Sequence, residues 1–252
     1  MVAQYVAWER GRNLDIKIVM SGDNIRGRFS AARGRGGAFT AEQHQTGATV
    51  KHETLRDLIE DRCLVFGDFI LSTGEKSKFY FDCKKATLDG KILSHIADAY
   101  IERIRKLPVM PTAIGGLTMG ADFISAAVAM RAFQVGIPTV HASIVRKERK
   151  PHGTMNFVEN ELPRGTTIIV VDDVITSGAS TAQACRQFLE SGYKIVAILA
   201  LVDREEKDGR QNLEQQFGCP ASGLFRTSEF PRLVEAMKQR DGGPHKRIAG
   251  AA

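Results

Sequence analysis

Cysteine is scarce in this chain: four residues in 252, Cys63, Cys83, Cys185 and Cys219, with no Cys-x-x-Cys pair among them. That spacing excludes a disulfide-stapled scaffold and a zinc ribbon, and a reducing, cytoplasmic setting is expected. Long apolar runs are missing too. The longest uncharged stretch, residues 107–121, carries two prolines and three glycines, so it suits neither a bilayer span nor the apolar part of a signal peptide. Aromatic residues make up only 7%, no internal repeat is present, and the 24 glycines follow no period, which sets aside the fibrous and solenoid classes. No Ser-His-Asp or Cys-His arrangement stands out, so a covalent nucleophile is not expected.

What the chain does have is 43% hydrophobic and 25% charged residues, ordinary usage for a globular core. Its net charge of +6 is concentrated at the ends: residues 1–50 hold 7 basic and 4 acidic side chains, and residues 231–252 hold 5 and 2. The remainder is balanced, which weakens a polyanion-binding reading of the fold itself. Residues 1–50, with glycines interleaved among Arg26, Arg28, Arg33 and Arg35, read as a flexible basic leader. Residues 51–235 read as the folded domain, and 236–252 as a flexible basic tail.

From Glu53, the apolar positions Leu55, Leu58, Ile59 and Cys63 share a helical face. Two short aromatic strands, 69–71 and 79–81, flank a Ser72-Thr73-Gly74 turn and predict a hairpin. Helix and strand signals then alternate: helices at 89–106, 121–134, 179–190 and 212–217, strands at 112–114, 138–145, 166–171 and 194–202. Such alternation implies an α/β fold with a mainly parallel sheet, right-handed crossovers and helices on both faces. Ligands in such a sheet sit beyond the carboxyl ends of the strands, which directs attention to loops 115–120, 146–165, 172–180 and 203–206.

The sharpest motif is Thr167-Ile-Ile-Val-Val-Asp172-Asp173-Val-Ile-Thr176-Ser177-Gly178-Ala179-Ser180-Thr181. A β-branched strand ends in two adjacent carboxylates that no interior would accept unpaired. Glycine and small hydroxyl residues then open a helix, where backbone N–H groups can cradle a phosphate. Two acids beside one phosphate cradle suit a sugar phosphate with vicinal hydroxyls, with Mg²⁺ nearby. The plainer reading is an Asp-Asp turn followed by a Ser/Thr helix cap. The long loop 146–165 concentrates Arg146, Lys147, Arg149, Lys150 and His152, a cluster able to neutralise a departing pyrophosphate, with Gly153 permitting closure.

The Asp172–Thr181 stretch resembles the phosphoribosyl-pyrophosphate (PRPP) signature of the type I phosphoribosyltransferases. Arg146-Lys-Glu-Arg-Lys-Pro-His-Gly153 resembles the mobile catalytic loop of the orotate branch. Phe79-Tyr80-Phe81-Asp82, Gly115-Gly-Leu-Thr-Met-Gly-Ala-Asp122 and Val202-Asp-Arg-Glu205 match in the same order, over about residues 53–230. The resemblance implies the type I fold with a small N-terminal hood formed by the hairpin, and transfer of phosphoribose from PRPP to orotate in pyrimidine biosynthesis. It implies that Asp172 and Asp173 contact the ribose hydroxyls and the metal shell, Mg²⁺ being held mainly through PRPP. Thr176, Ser177, Gly178, Ala179 and Ser180 would hold the 5′-phosphate. Arg146, Lys147, Lys150 and His152 would close over pyrophosphate with Lys150 the main catalytic cation, and Thr118 and Met119 would flank PRPP. Arg204 would pair with the orotate carboxylate, with Tyr80, Phe81 and Thr176 also lining the base site. A homodimer whose loops serve each other's active sites is implied as well.

Two family cations are replaced, by Ser72 and Met119, and Lys76, Lys78, Lys84 or Lys85 could compensate. Two other functions stay open: a phosphoribosyltransferase for another base, and a PRPP-sensing regulator that binds nucleic acid through the basic leader.

Overall fold

The computed structural model describes residues 4–10, 13–20, 23–29, 51–70, 76–137, 140–148 and 157–241. The chain divides into two units, Met1–Gly47 and Ala48–Ala252. In the first, β1 (Gln4–Arg10), β2 (Asn13–Met20) and β3 (Asp23–Phe29) form an antiparallel meander with Ile16 opposite Ala7 and Gly27. A leader without regular structure was the expectation for this stretch. Its overlooked signal is the alternation Leu14-Asp15-Ile16-Lys17-Ile18, a period of two masked by the Arg/Gly composition around it.

In the second unit, α1 (His52–Cys63) leads into a two-stranded antiparallel hairpin of β4 (Leu64–Ile70) and β5 (Lys76–Phe81). The short α2 (Lys84–Thr87) follows, then α3 (Gly90–Ile104), whose first turn is capped by Asp89 accepting from the N–H groups of Lys91 and Ile92. Next come β6 (Ala113–Leu117), α4 (Asp122–Gln134), β7 (His141–Val145), β8 (Val158–Glu159), β9 (Thr167–Ile175), α5 (Ala179–Glu190) and β10 (Lys194–Asp203). The chain continues through α6 (Gly209–Phe217), β11 (Ala221–Arg226), a single 3₁₀ turn (Thr227–Glu229) and α7 (Pro231–Asp241). The helix α7 begins inside the expected domain and runs into what was read as a tail; residues beyond 241 lie outside the described residues.

The central sheet has the order β11-β10-β9-β6-β7-β8, and every pair is parallel except β7 with β8. Alternation along β9 splits the core cleanly. Ile169 and Val171 face the layer of α1, α3 and α4, while Ile168 and Val170 face Phe188 and Cys185 of α5. The chain winds outward in one direction from β6 to β7 and in the other from β9 to β11. The gap between β6 and β9 is therefore the switch point of the sheet, where the loops leaving both strands diverge and open a crevice.

Two boundaries differ from the sequence reading for a physical reason. Gly115 and Gly116 belong to strand β6 rather than to the loop, because a side chain at either position would meet backbone: an added Cβ would lie 1.7 Å from the Ser143 carbonyl oxygen or 2.0 Å from that of Val171. And β9 does not end at the acids. It carries Asp172 and Asp173 inside the ladder, paired to β10 as far as Ile175 opposite Asp203.

The last helix is fixed from a distance. Glu60 of α1, only 4% exposed, accepts the N–H of Arg232 at 2.7 Å and that of Leu233 at 3.2 Å, capping α7 just after Pro231 at its first position. Replacing Glu60 with alanine orphans two amides, and the expected cost is about 2–3 kcal/mol, read as a lower urea midpoint.

Candidate active site

The crevice beyond β9 and β10 holds a cavity of about 670 Å³. Its walls are Asp173, Val174 and Thr176 through Ser180 on one side, Arg204 at the end of β10, and Phe69, Ile70, Tyr80 and Phe81 from the hairpin. Of the residues singled out in the sequence, those assigned to the 5′-phosphate and those assigned to the base thus share one volume.

The phosphate cradle follows from local geometry. Gly178 caps α5 at φ +78°, and a Cβ there would sit 2.9 Å from Leu213, so only glycine fits both the backbone and the space. The first N–H groups of α5 are left without helical acceptors and face the cavity end that Ser177, Ala179 and Ser180 line.

The two acids divide their duties. Adjacent strand residues point to opposite faces, so Asp172 turns toward α5, where its Oδ2 accepts from the Ser180 and Thr181 hydroxyls, both at 2.8 Å. Its Oδ1 accepts the Asp173 N–H at 3.0 Å, and the residue is 5% exposed. Asp173 instead lines the cavity. Both Oδ1 atoms still crowd Gly120, where a Cβ would lie 2.7 Å from each, so the loop after β6 closes over the pair only because it has no side chain there. Burial first, and repulsion from Asp173 second, push the Asp172 carboxyl up to about 7. Asp173 is also raised, by burial, with Lys84 opposing. For Lys84, burial works against the charge, but Tyr80, Asp82 and Asp173 outweigh it and raise the ammonium above its ordinary value. Its Nζ lies 3.3 Å from Asp82, and of the four candidate compensating lysines it is the one whose charge is found to bear on Asp173 among the described residues.

Arg204 is 4% exposed and tightly framed. Its guanidinium lies 4.5 Å above the Phe79 ring, and Nη2 donates to Glu206 at 2.8 Å and to the Ser77 hydroxyl at 3.2 Å. Its Nε is buried and has no hydrogen-bond partner within the chain. Ser77, Phe79 and Glu206 were given no role at the site in the sequence reading, although Phe79 opens one of the matching motifs and Glu206 ends the loop 203–206. Their nearest signal is the period of β5, which puts Ser77, Phe79 and Phe81 on one face. That same period separates Tyr80 from Phe81. Phe81 is 3% exposed and packs on Phe230 at 4.9 Å between centroids, whereas Tyr80 is 37% exposed beside Phe69. Both border the cleft, but only Tyr80 presents a substantial open face.

Three of the residues expected to meet PRPP and its pyrophosphate gather elsewhere. Thr118, Arg146 and Lys147 line a second cavity of about 630 Å³ with Asp122, Ile144, Glu148 and Glu159. Thr118 donates to Asp122 at 2.7 Å, and Arg146 pairs with Glu159 at 3.0 Å. Met119 is 55% exposed and lines neither cavity, and the Thr118–Met119 peptide is cis. Lys150, His152 and the Ser72 turn lie outside the described residues. Among the described residues, no group of three or more His, Cys, Asp and Glu side chains is placed to hold a metal ion, and no helix is long and apolar enough to cross a membrane.

Comparison with known proteins places this geometry. Residues 86–220 match the model of the phosphoribosyl transferase domain. Orotate phosphoribosyltransferase of Aquifex aeolicus is 37% identical over 184 residues, covering 72% of this chain and 98% of that protein. Orotate phosphoribosyltransferase of Thermosynechococcus vestitus is likewise 37% identical, over 73% of this chain and 94% of that protein. A crystal structure of Mycobacterium tuberculosis orotate phosphoribosyltransferase superposes with a TM-score of 0.61 at 25% identity, covering 71% of this chain and 98% of the other.

Proposed function

The chain belongs to the orotate phosphoribosyltransferases of the phosphoribosyl transferase family, and from that membership we propose how its residues share the reaction. The enzyme moves the phosphoribosyl group of PRPP onto orotate, giving orotidine 5′-phosphate and pyrophosphate in pyrimidine biosynthesis. The observation that carries the residue assignment is the single cleft in which an anion cradle, Asp173 and a buried arginine with a free donor face one another.

The 5′-phosphate sits on the N–H groups and hydroxyls of residues 176–180. Asp173, backed by Asp172, accepts from the ribose hydroxyls, which offsets charge the ligand-free fold holds at a cost. Tyr80 covers the pyrimidine ring, Phe81 supports the hairpin from the core, and Arg204 takes the orotate carboxylate through its Nε edge. At the anomeric carbon, the bond to the pyrophosphate oxygen breaks as the bond to the orotate ring nitrogen forms, through an oxocarbenium-like transition state. Arg146, Lys147, Lys150 and His152 take up the negative charge that develops on the leaving group, while the hairpin and loop exclude water. The all-oxygen, hard character of Asp172 and Asp173 and their excess negative charge fit Mg²⁺ carried in by PRPP, which would add further neutralisation of the pyrophosphate. A cytoplasmic homodimer, each loop reaching its neighbour's site, completes the reading.

The test is the fall in orotate absorbance on mixing protein, Mg²⁺ and PRPP, with hypoxanthine, adenine and uracil followed by product chromatography. Turnover of orotate alone, dependent on PRPP and Mg²⁺, is expected; consumption of a purine instead would overturn the assignment. Arg204→Ala is expected to raise the orotate KM by about 30-fold, the range of a charge-assisted contact, with the PRPP KM little changed. An unchanged orotate KM removes Arg204 from the base site.

A further inference from the structure

Arg204 stands one residue past the end of β10, where a chain ordinarily loosens, yet its backbone is pinned on both sides. Its N–H donates to the Ile175 carbonyl of β9 at 2.9 Å, continuing the ladder by one step. On the other side the neighbour is β11, whose pairing with β10 ends at Asp203 opposite Arg226. No backbone amide of β11 reaches the Arg204 carbonyl. The Thr227 hydroxyl does so instead, at 2.8 Å, from a side chain that is 7% exposed. A side chain from the turn after β11 thus holds the Arg204 carbonyl beyond the end of the ladder.

The same hydroxyl lies 3.1 Å from Glu205 Oε2, and that oxygen accepts the Ser228 N–H at 2.8 Å. Glu205 itself adopts φ +54°, and Lys207 and Asp208 follow at +56° and +50°. Non-glycine residues hold such conformations only where their surroundings impose them. Here the imposing contacts are the Glu205 carboxylate on the turn after β11 and the Asp203 Oδ1 that accepts the Glu205 N–H at 2.9 Å. Burial alone would raise the Glu205 carboxyl, but the Ser228 amide and hydroxyl, Thr227 and Arg226 outweigh it and hold it below the ordinary glutamate value.

We infer that Thr227, with Glu205, is a positioning residue for base recognition: it fixes the Arg204 backbone so that the guanidinium meets the substrate carboxylate already aligned. This rests on the assignment of Arg204 to that carboxylate. Neither Thr227 nor Glu205 touches the substrate in this scheme. Their effect travels through Arg204 alone, which separates them from residues that support the fold generally. Loss of alignment costs the contact Arg204 makes, whereas the PRPP cradle is set separately, by Gly178 and the start of α5.

The experiment compares Thr227→Val, which keeps the shape and removes the hydroxyl, with Thr227→Ser, which restores it, and with Glu205→Gln on an exposed side chain. Thr227→Val is expected to raise the orotate KM by about 10-fold, the loss of one buried hydrogen bond with its partner left unsatisfied, while the PRPP KM and kcat stay within about twofold. Thr227→Ser is expected to return the orotate KM to that of the parent, and Glu205→Gln to raise it by a smaller factor. An orotate KM that does not move in Thr227→Val, or a parallel rise in both KM values not rescued by serine, overturns the inference. Should Thr227→Val fail to fold, an unmoved orotate KM in Glu205→Gln overturns it equally. Absence of orotate turnover in the parent protein would instead overturn the assignment of function, so the two failures are distinct.

Discussion

Replacing Lys150 by alanine is expected to lower kcat by at least about 100-fold, some 2.7 kcal/mol of barrier, with the fold and the PRPP KM nearly unchanged. The reason lies in when the charge is needed. In the proposed reaction the pyrophosphate of PRPP already carries negative charge, but breaking its bond to the anomeric carbon places new charge on the bridging oxygen, and a cation positioned there would act mainly on the transition state. The base of the loop is firmly closed: the Arg146 N–H donates to the Phe157 carbonyl at 2.8 Å and its guanidinium holds Glu159. Arg146, Lys147 and Glu148 before the loop's undescribed residues and Glu159 after them line one cavity with Thr118. Steady-state kinetics of the variant gives the answer, with circular dichroism confirming the fold; a kcat within a few-fold of the parent would remove Lys150 from the catalytic role. Mixing Lys150→Ala with Asp173→Ala chains tests the shared site, because hybrid dimers regain activity only if the loop of one subunit serves the other.

The elements that line the candidate site were readable where they are contiguous in sequence. The strand β9, the two acids, the Thr-Ser-Gly cradle and α5 are contiguous, and each carries its own signature: β-branched residues, adjacent charges, a left-handed glycine. What surrounds Arg204 was not readable, since Ser77 reaches it from 127 positions away in sequence and Thr227 from 23. A lone serine or threonine advertises no role until the fold has placed it. Glycine misled in the opposite direction. Gly115 and Gly116 look like loop by composition, yet they are strand because β7 and β9 approach too closely for a side chain. The late elements β11 and α7 escaped for a further reason: Ala221-Ser-Gly-Leu-Phe-Arg226 has small residues where a strand pattern needs β-branched ones, and α7 was hidden by the basic residues of its exposed face.

Asp173→Asn is expected to make the ligand-free protein more stable at pH 8 and, at the same time, to cut kcat/KM for PRPP by about 100-fold or more. In the unfolded chain both carboxyls ionise near the ordinary 3.8, whereas in the fold Asp172 keeps its proton up to about 7. The folded state therefore binds the extra proton between those values. Stability falls as the pH rises through that window, and the penalty is complete above about 7. The two acids titrate as a pair, so making residue 173 neutral removes the repulsion and lets Asp172 ionise more easily, though burial still opposes it. The expected gain at pH 8 is a few degrees of melting temperature, at about 2–4 °C per kcal/mol for a chain of this size, shrinking toward zero below pH 4. In the proposed assignment the same repulsion is what a ligand would relieve: ribose hydroxyls would donate to the acids and a divalent cation on PRPP would offset their charge, so part of the binding energy would come from that repulsion. Thermal melts at pH 4, 6 and 8, with and without PRPP and Mg²⁺, read both halves. A variant that melts lower than the parent at pH 8, or that retains full activity, would show that the acid pair is not held in the fold at the expense of stability for the sake of the ligand.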